Sequence, residues 1–281
     1  MQAPMNAAGR RPPINKDTRL CISLAGRPSN IGTRFHNHLY EQLGLDFIYK
    51  AFTTIDIGAA IGGVRALGIR GCSVSMPFKQ AVIPLVDEVE PSARAIHAVN
   101  TIVNDDGRLT ASNTDYIAVQ RLIDEHDLDT DDAVLIRGSG GMASAVGSAF
   151  RNSGFRSGIV VARNPEAGPA LADRLGYEYA PDIADRTAPI IVNVTPIGMA
   201  GGPEEREVAF DAETIAKAHV VFDVVALPSV TPLIKAARAA GVKVITGAEV
   251  IALQAAEQFE RYTGVRPAPG QIAEASAISR A

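Results

Sequence analysis

Short β-branched runs alternating with longer stretches of helical periodicity are the feature that most narrows what this chain can fold into. LCISLAG (20–26) reads as a strand, FHNHLYEQLG (35–44) as a helix with Gly44 at its C-terminal cap, FIYKAFTT (47–54) as a strand, DIGAAIGGVRALG (56–68) as a helix and IRGCSVSM (69–76) as a strand. PFKQAVIPLVDEV (77–89) reads as a helix opened by Pro77, whose missing N–H costs little in a first turn. Asp106-Gly107 marks a hairpin turn between two apolar runs, and YIAVQRLIDEHD (116–127) is a helix. The alternation then restarts with DAVLIRG (132–138), GMASAVGSAFRNSG (141–154), SGIVVARN (157–164) and EAGPALADRLG (166–176), followed by the strands PIIVNVTP, HVVFDVVA and KVIT. A long helix, AEVIALQAAEQFERYTG (248–264), closes the series, and GVRPAPG breaks it. Strands separated by helical crossovers form parallel sheets, and the clusters VLI, IVV, IIV and VVF are apolar enough to be covered on both faces.

The expected fold is therefore α/β. An N-terminal α/β substrate domain spans 17–115, a doubly wound Rossmann domain spans 116–249, and the C-terminal helix region 250–281 returns to the first domain. The length of 281 residues suits about two domains. Residues 1–16 lack an apolar signal-peptide core and read as a flexible tail. The balance of 27 Lys+Arg against 31 Asp+Glu is mildly acidic and argues against a general nucleic-acid binder, which would need a basic face, while leaving room for a local basic pocket for a small anion. No apolar run reaches the ~18–20 residues of a membrane span. Cys21 and Cys72 sit in apolar strand-like runs with no CxxC, as expected for buried reduced thiols in a cytoplasmic protein. The five His are scattered, with His36 read at a helix start, so no metal is expected.

Gly138-Ser139-Gly140-Gly141-Met142-Ala143 follows a strand and opens a helix. Gly138 permits the tight turn, Gly140 lets backbone approach a pyrophosphate, and Ala143 keeps helix and strand close. The helix N-terminus offers free N–H groups and positive dipole to phosphates. The next strand ends in Ala162-Arg163-Asn164, with no acid for a ribose 2′-hydroxyl. Arg163 suits a 2′-phosphate, so NADP(H) is expected over NAD; the alternative is a solvated strand-end charge. Arg137 either assists or faces solvent.

In GIRGCSVSMPFK, Ser73 and Ser75 share a face, and Lys79 falls in the first turn of the expected helix, where the dipole disfavours a cation. A residue set against a local rule points to function. Asn100 and Thr101 are polar residues in an apolar strand. Asp115, in Asn113-Thr114-Asp115, is either an N-cap or a site acid.

These segments together resemble the shikimate dehydrogenase family, from AGRPSNIGTRFHN through GCSVSMPFK, AVNTI, SNTD, GSGGMAS, NVTPIGM and DVVALPSVTPLI to GAEVIALQAAEQFERYTG. The resemblance implies an NADP-dependent oxidoreductase that interconverts a ketone and an alcohol on a shikimate-like cyclic hydroxy acid, acting as monomer or homodimer. It implies Lys79 and Asp115 as the catalytic pair. Ser75, Asn100 and Gln254 are implied substrate ligands, with Ser29 and Thr33 flanking the segment where the family has Ser-x-Ser. The implied cofactor residues are Gly138, Ser139, Gly140, Gly141, Met142, Ala143, Arg163, Asn164, Thr195, Met199, Val224 and Gly247. The departures, Gly32 in the carboxylate segment and Ala226 where the family has Tyr, place the chain with the divergent shikimate dehydrogenase-like branch. A relaxed quinate or aminoshikimate specificity, or an NADP-binding regulatory module, are the alternative readings.

Overall fold

A computed structural model describes residues 11–280. In chain order it contains β1 (Arg19–Leu24), α1 (Ile31–Gln42), β2 (Phe47–Phe52), α2 (Ile57–Ala66), β3 (Gly71–Val74), β4 (Glu88–Val89), α3 (Pro91–Arg94), β5 (Thr101–Asp105), β6 (Arg108–Ser112) and α4 (Thr114–Glu125). There follow β7 (Val134–Arg137), α5 (Gly141–Asn152), β8 (Gly158–Val161), α6 (Ala167–Leu175), β9 (Glu178–Ala180), β10 (Ile190–Asn193), α7 (Ala212–Lys217), β11 (Val220–Asp223), α8 (Pro232–Ala239), β12 (Lys243–Thr246), α9 (Gly247–Thr263) and α10 (Pro269–Arg280). The chain forms two compact units: one runs to Thr114 and resumes at Ala252, the other is Asp115–Ile251.

The first unit holds a mixed six-stranded sheet in the order β2-β1-β3-β5-β6-β4. β1, β2 and β3 run parallel, while β5 is antiparallel to β3 and to β6. Period-two alternation splits its core in two. Cys21, Phe35, Leu39, Tyr40, Phe47, Tyr49, Phe259 and Tyr262 pack on one face; Ile22, Leu24, Ile61, Val64, Cys72 and Ile102 pack on the other. Cys21 pairs in register with Gly71, and Cys72 with Ile22, so the two thiols serve opposite faces. Both are buried and free, and burial pushes the Cys21 thiol up to about 12. The β5–β6 hairpin turns at Asp106-Gly107, both at positive φ. Gly44 likewise follows α1 at φ 63°.

The second unit is a fully parallel sheet, β12-β11-β10-β7-β8-β9. Counted from β7 as the first strand, this is the 3-2-1-4-5-6 order of the dinucleotide-binding fold. β10 and β11 are buried at every residue, as strands covered on both faces must be.

Four expectations need correction. The stretch 77–89 is not a helix: turns lead to a short 3₁₀ segment, Ile83–Leu85, and then to β4. Pro84 has no N–H to donate inside a helix, and Glu88–Val89 find partners in β6 instead. Lys79 therefore lies in a turn, and no helix dipole acts against it. His36 is in the middle of α1, which starts at Ile31, and is fully buried. Pro269 opens a further helix, α10, after the Pro-rich stretch. Of the expected tail, residues 1–10 lie outside the described residues. Residues 11–16 are held: Arg11 donates to Glu41 Oε1 (2.7 Å) and to the Phe47 carbonyl, and Asn15 to Asp46. Among the described residues no helix is long and apolar enough to cross a membrane.

Candidate active site

At the carboxyl ends of β7 and β10, where the strand order of the second unit reverses, the sheet leaves a cavity of about 500 Å³. Arg137, Gly138, Ser139 and Gly140 form one wall; Arg163 and Asn164 follow β8 on another; Thr195 and Ile197 close a third. Gly138 is at φ 128°, and a Cβ there would stand 2.9 Å from Val194 Cγ2, so the turn admits only glycine. A Cβ at Gly140 or Gly141 would meet open space, so these two leave α5's first N–H groups uncovered. Asn164 accepts from the N–H groups of Glu166 and Ala167, which shapes the turn after β8.

Two guanidiniums flank this space. Arg137 is half-buried, with its Nη1 on the Ala209 carbonyl. Burial, and then the neighbouring Arg163 charge, lower its pKa. Arg163 is largely exposed, 3.8 Å from Glu204. A cradle of free N–H groups beside two like charges fits a pyrophosphate and a further phosphate. Met142 and Ala143 lie in the first turn of α5. Met199, Val224 and Gly247 are not among the residues lining the cavity. Gly247 instead serves packing: a Cβ there would be 2.4 Å from the Val224 carbonyl. Beside it, Thr246 and Glu249 cap α9 reciprocally, with Glu249 Oε2 accepting from the Thr246 N–H and hydroxyl.

The wall at Thr195 is set by side chains that sequence reading passed over. Asn193 Oδ1 accepts from the Thr195 N–H (3.0 Å) and hydroxyl (2.6 Å); its Nδ2 donates to Asp223 Oδ1 and the Ile197 carbonyl. Asp223 also accepts from the Val225 N–H and the Thr231 hydroxyl. Burial pushes the Asp223 carboxyl up. A polar pair ending two adjacent apolar strands was the available signal.

In the first unit, a second set of polar groups gathers where β3 and β5 lie side by side. Asn100 Oδ1 accepts from the Thr114 N–H (2.8 Å) and the Thr101 hydroxyl (2.8 Å), with the Thr114 hydroxyl at 3.1 Å. Gln254, on α9, accepts from the Thr114 hydroxyl at 3.4 Å. One turn further along α9, Gln258 Nε2 reaches Thr101 Oγ1 (3.1 Å), Ser73 Oγ (3.3 Å) and the Asn100 carbonyl (3.4 Å). Ser75 is exposed and donates its N–H to Leu24. The Lys79 carbonyl accepts from the Val99 N–H (2.8 Å), tying the Lys79 turn to the segment that leads through Asn100 into β5. Ser29 is exposed, and Thr33, in the first turn of α1, keeps a buried hydroxyl with no hydrogen-bond partner among the described residues. Asp115 belongs to the second unit and sits inside the first turn of α4 rather than capping it. Gln258 escaped sequence reading because the family resemblance marked only Gln254 on this helix, and nothing local to the sequence shows that Gln258 meets Thr101 and Ser73.

Residues 30–102 match the model of the shikimate dehydrogenase substrate binding domain. A shikimate dehydrogenase-like protein of Haemophilus influenzae is 58% identical over 267 residues, covering 95% of this chain and 98% of that one. A solved structure of a shikimate 5-dehydrogenase-like protein superposes with a TM-score of 0.94 at 58% identity, over 95% of this chain and 100% of the other. Shikimate 5-dehydrogenase of Thermus thermophilus, solved in complex with NADP(H) and shikimate, gives a TM-score of 0.82 at 29% identity, over 93% and 99%.

Proposed function

The chain belongs to the shikimate dehydrogenase family, and on that premise we propose that it is an NADP-dependent oxidoreductase that reversibly reduces 3-dehydroshikimate, or a closely related cyclic keto acid, to the alcohol. The observation that carries this reading is the cavity at the β7–α5 turn, where Gly138, Gly140 and Gly141 leave backbone N–H groups open beside Arg137 and Arg163. The end of β8 offers Arg163 and Asn164 where an NAD-preferring site would carry an acid. The second unit is thus the NADP-binding domain, with Ser139, Met142, Ala143 and Thr195 around the cofactor. The first unit, which contains the family's substrate-binding match, takes the cyclic acid.

When bound, NADP(H) supplies or accepts the hydride; the chain's own residues handle the proton and the hydroxyls. In the reducing direction the Lys79 ammonium gives a proton to the oxygen of the former ketone, and in reverse the neutral amine takes it back. General acid–base help of this kind contributes roughly 10²–10⁴-fold. Asp115 hydrogen-bonds the reacting or neighbouring hydroxyl of the substrate. Asn100, Ser75 and Gln254 bind ring hydroxyls, and Thr33 with Ser29 serves the carboxylate. Its two buried thiols suit work in the cytoplasm.

The test is a set of steady-state rates with shikimate and quinate, each against NADP⁺ and NAD⁺. Shikimate with NADP⁺ should give the highest kcat/KM. Lys79→Ala should lower kcat by about 10² or more and leave NADPH affinity, read by fluorescence titration, unchanged. An unchanged kcat would remove Lys79 from the chemistry. Tight NADPH binding without turnover of any cyclic acid would make the chain a binding module.

A further inference from the structure

We propose that Gln258 is a positioning residue that acts on substrate through Asn100. The proposal rests on Asn100 binding a ring hydroxyl. Gln258 is 4% exposed, and its carboxamide N–H groups go to Thr101 Oγ1, Ser73 Oγ and the Asn100 carbonyl. A hydroxyl has one proton. Thr101 Oγ1 accepts from Gln258 and donates its own proton to Asn100 Oδ1 at 2.8 Å. The Thr114 backbone N–H, also at 2.8 Å, meets the same oxygen. With the oxygen end of the Asn100 amide held by these two donors and by the Thr114 hydroxyl at 3.1 Å, its Nδ2 is the end left to donate outward, to a substrate hydroxyl.

Gln258 commits the direction of the Thr101 proton. Without the Gln258 donor, the Thr101 proton is free to turn to Thr114 Oγ1, which lies 3.3 Å away. Asn100 Oδ1 then loses its 2.8 Å hydroxyl donor and keeps the backbone N–H and the longer Thr114 hydroxyl contact at 3.1 Å. The same amide reaches Ser73 and neighbours His36 on α1, so a single side chain from α9 tunes hydroxyls on β3 and β5. Its ring-hydroxyl partner is reached only through Asn100, and so the expected signature lies in substrate KM rather than in chemistry or cofactor binding.

The experiment compares wild type, Gln258→Met, Asn100→Ala and the double variant. Gln258→Met keeps length and burial while removing both donors. It should raise the shikimate KM about fivefold or more, leaving kcat within a factor of about two and the NADP⁺ KM unchanged. In the Asn100→Ala background the same substitution should change the KM no further. A full, independent effect in that background overturns the proposal, as does an unchanged KM in the single variant. Gln258→Ala serves in its place if Gln258→Met does not fold. A second readout does not depend on turnover. The Asn100 side-chain amide, assigned by its loss in Asn100→Ala, gives one ¹H–¹⁵N pair in the wild type. Gln258→Met should shift or broaden that pair, and an unmoved pair overturns the proposal. Wild type inert towards shikimate but with a moved pair would refute the assigned activity while leaving the Gln258–Asn100 coupling standing.

Discussion

His36 is an ionisable side chain placed where only its neutral form fits. It stacks on Tyr49 with ring centroids 4.4 Å apart and on Phe259 at 6.1 Å, fully buried in one face of the first unit's core. Burial drives its pKa from 6.5 down to about 3, opposed in part by Gln258. Below about 6.5 the unfolded chain binds a proton that the folded chain refuses, so this group's contribution is complete above that pH and is lost as pH falls towards 3. Between pH 7 and pH 5 the wild type should lose about 2 kcal/mol of stability more than His36→Phe, in urea unfolding at both pH values. Parallel losses in the two proteins would mean that the imidazole is solvated in the native state.

At the scale of elements, β2 is an edge strand whose outer backbone groups would otherwise invite pairing. Asn37 on α1 meets them: its Oδ1 accepts from the Tyr49 N–H (3.0 Å) and its Nδ2 donates to the Tyr49 carbonyl (2.8 Å). The same Nδ2 also reaches the Thr33 carbonyl, so one amide joins helix to strand. Asn37→Ala removes these bonds and should cost about 1–3 kcal/mol in chemical denaturation, with weaker hydrogen-exchange protection along 47–52. A change below about 0.5 kcal/mol would show that water replaces the amide at no cost. Elements of this kind differ in how much the sequence tells. The strand–helix alternation and the Asp106-Gly107 hairpin were legible because period and turn chemistry are local. The segment after Pro77 was not: its apolar spacing suits a helix, but Pro84 and the pairing of Glu88–Val89 with β6 decide otherwise, and that pairing is a long-range fact. α10 was missed because the prolines ahead of it read as a stop, although Pro269 is also a good helix start. Within the candidate site, the glycine turn announced itself through residue type. Gln258, Asn193 and Asp223 did not, because each matters through partners distant in sequence or on a neighbouring strand.

For the whole molecule, the net charge of −4 opposes a polyanionic cofactor. Attraction must therefore come from the local pair Arg137 and Arg163 at the mouth of the cavity in the second unit. Arg137 is committed to the Ala209 carbonyl and half-buried, which makes it a fixed wall charge. Arg163 is 82% exposed in its side chain, and its 3.8 Å contact with Glu204 is of the exposed kind that contributes little. It can exchange that carboxylate for a 2′-phosphate at small cost and gain bidentate geometry. Arg163→Ala should raise the Kd for NADP⁺ about tenfold or more while moving that for NAD⁺ less than about twofold. Added salt should weaken NADP⁺ binding to the wild type more steeply than to the variant, since one screened charge contact has gone. Equal losses for both cofactors would place the 2′-phosphate elsewhere and leave Arg163 as a strand-end charge whose partner is Glu204.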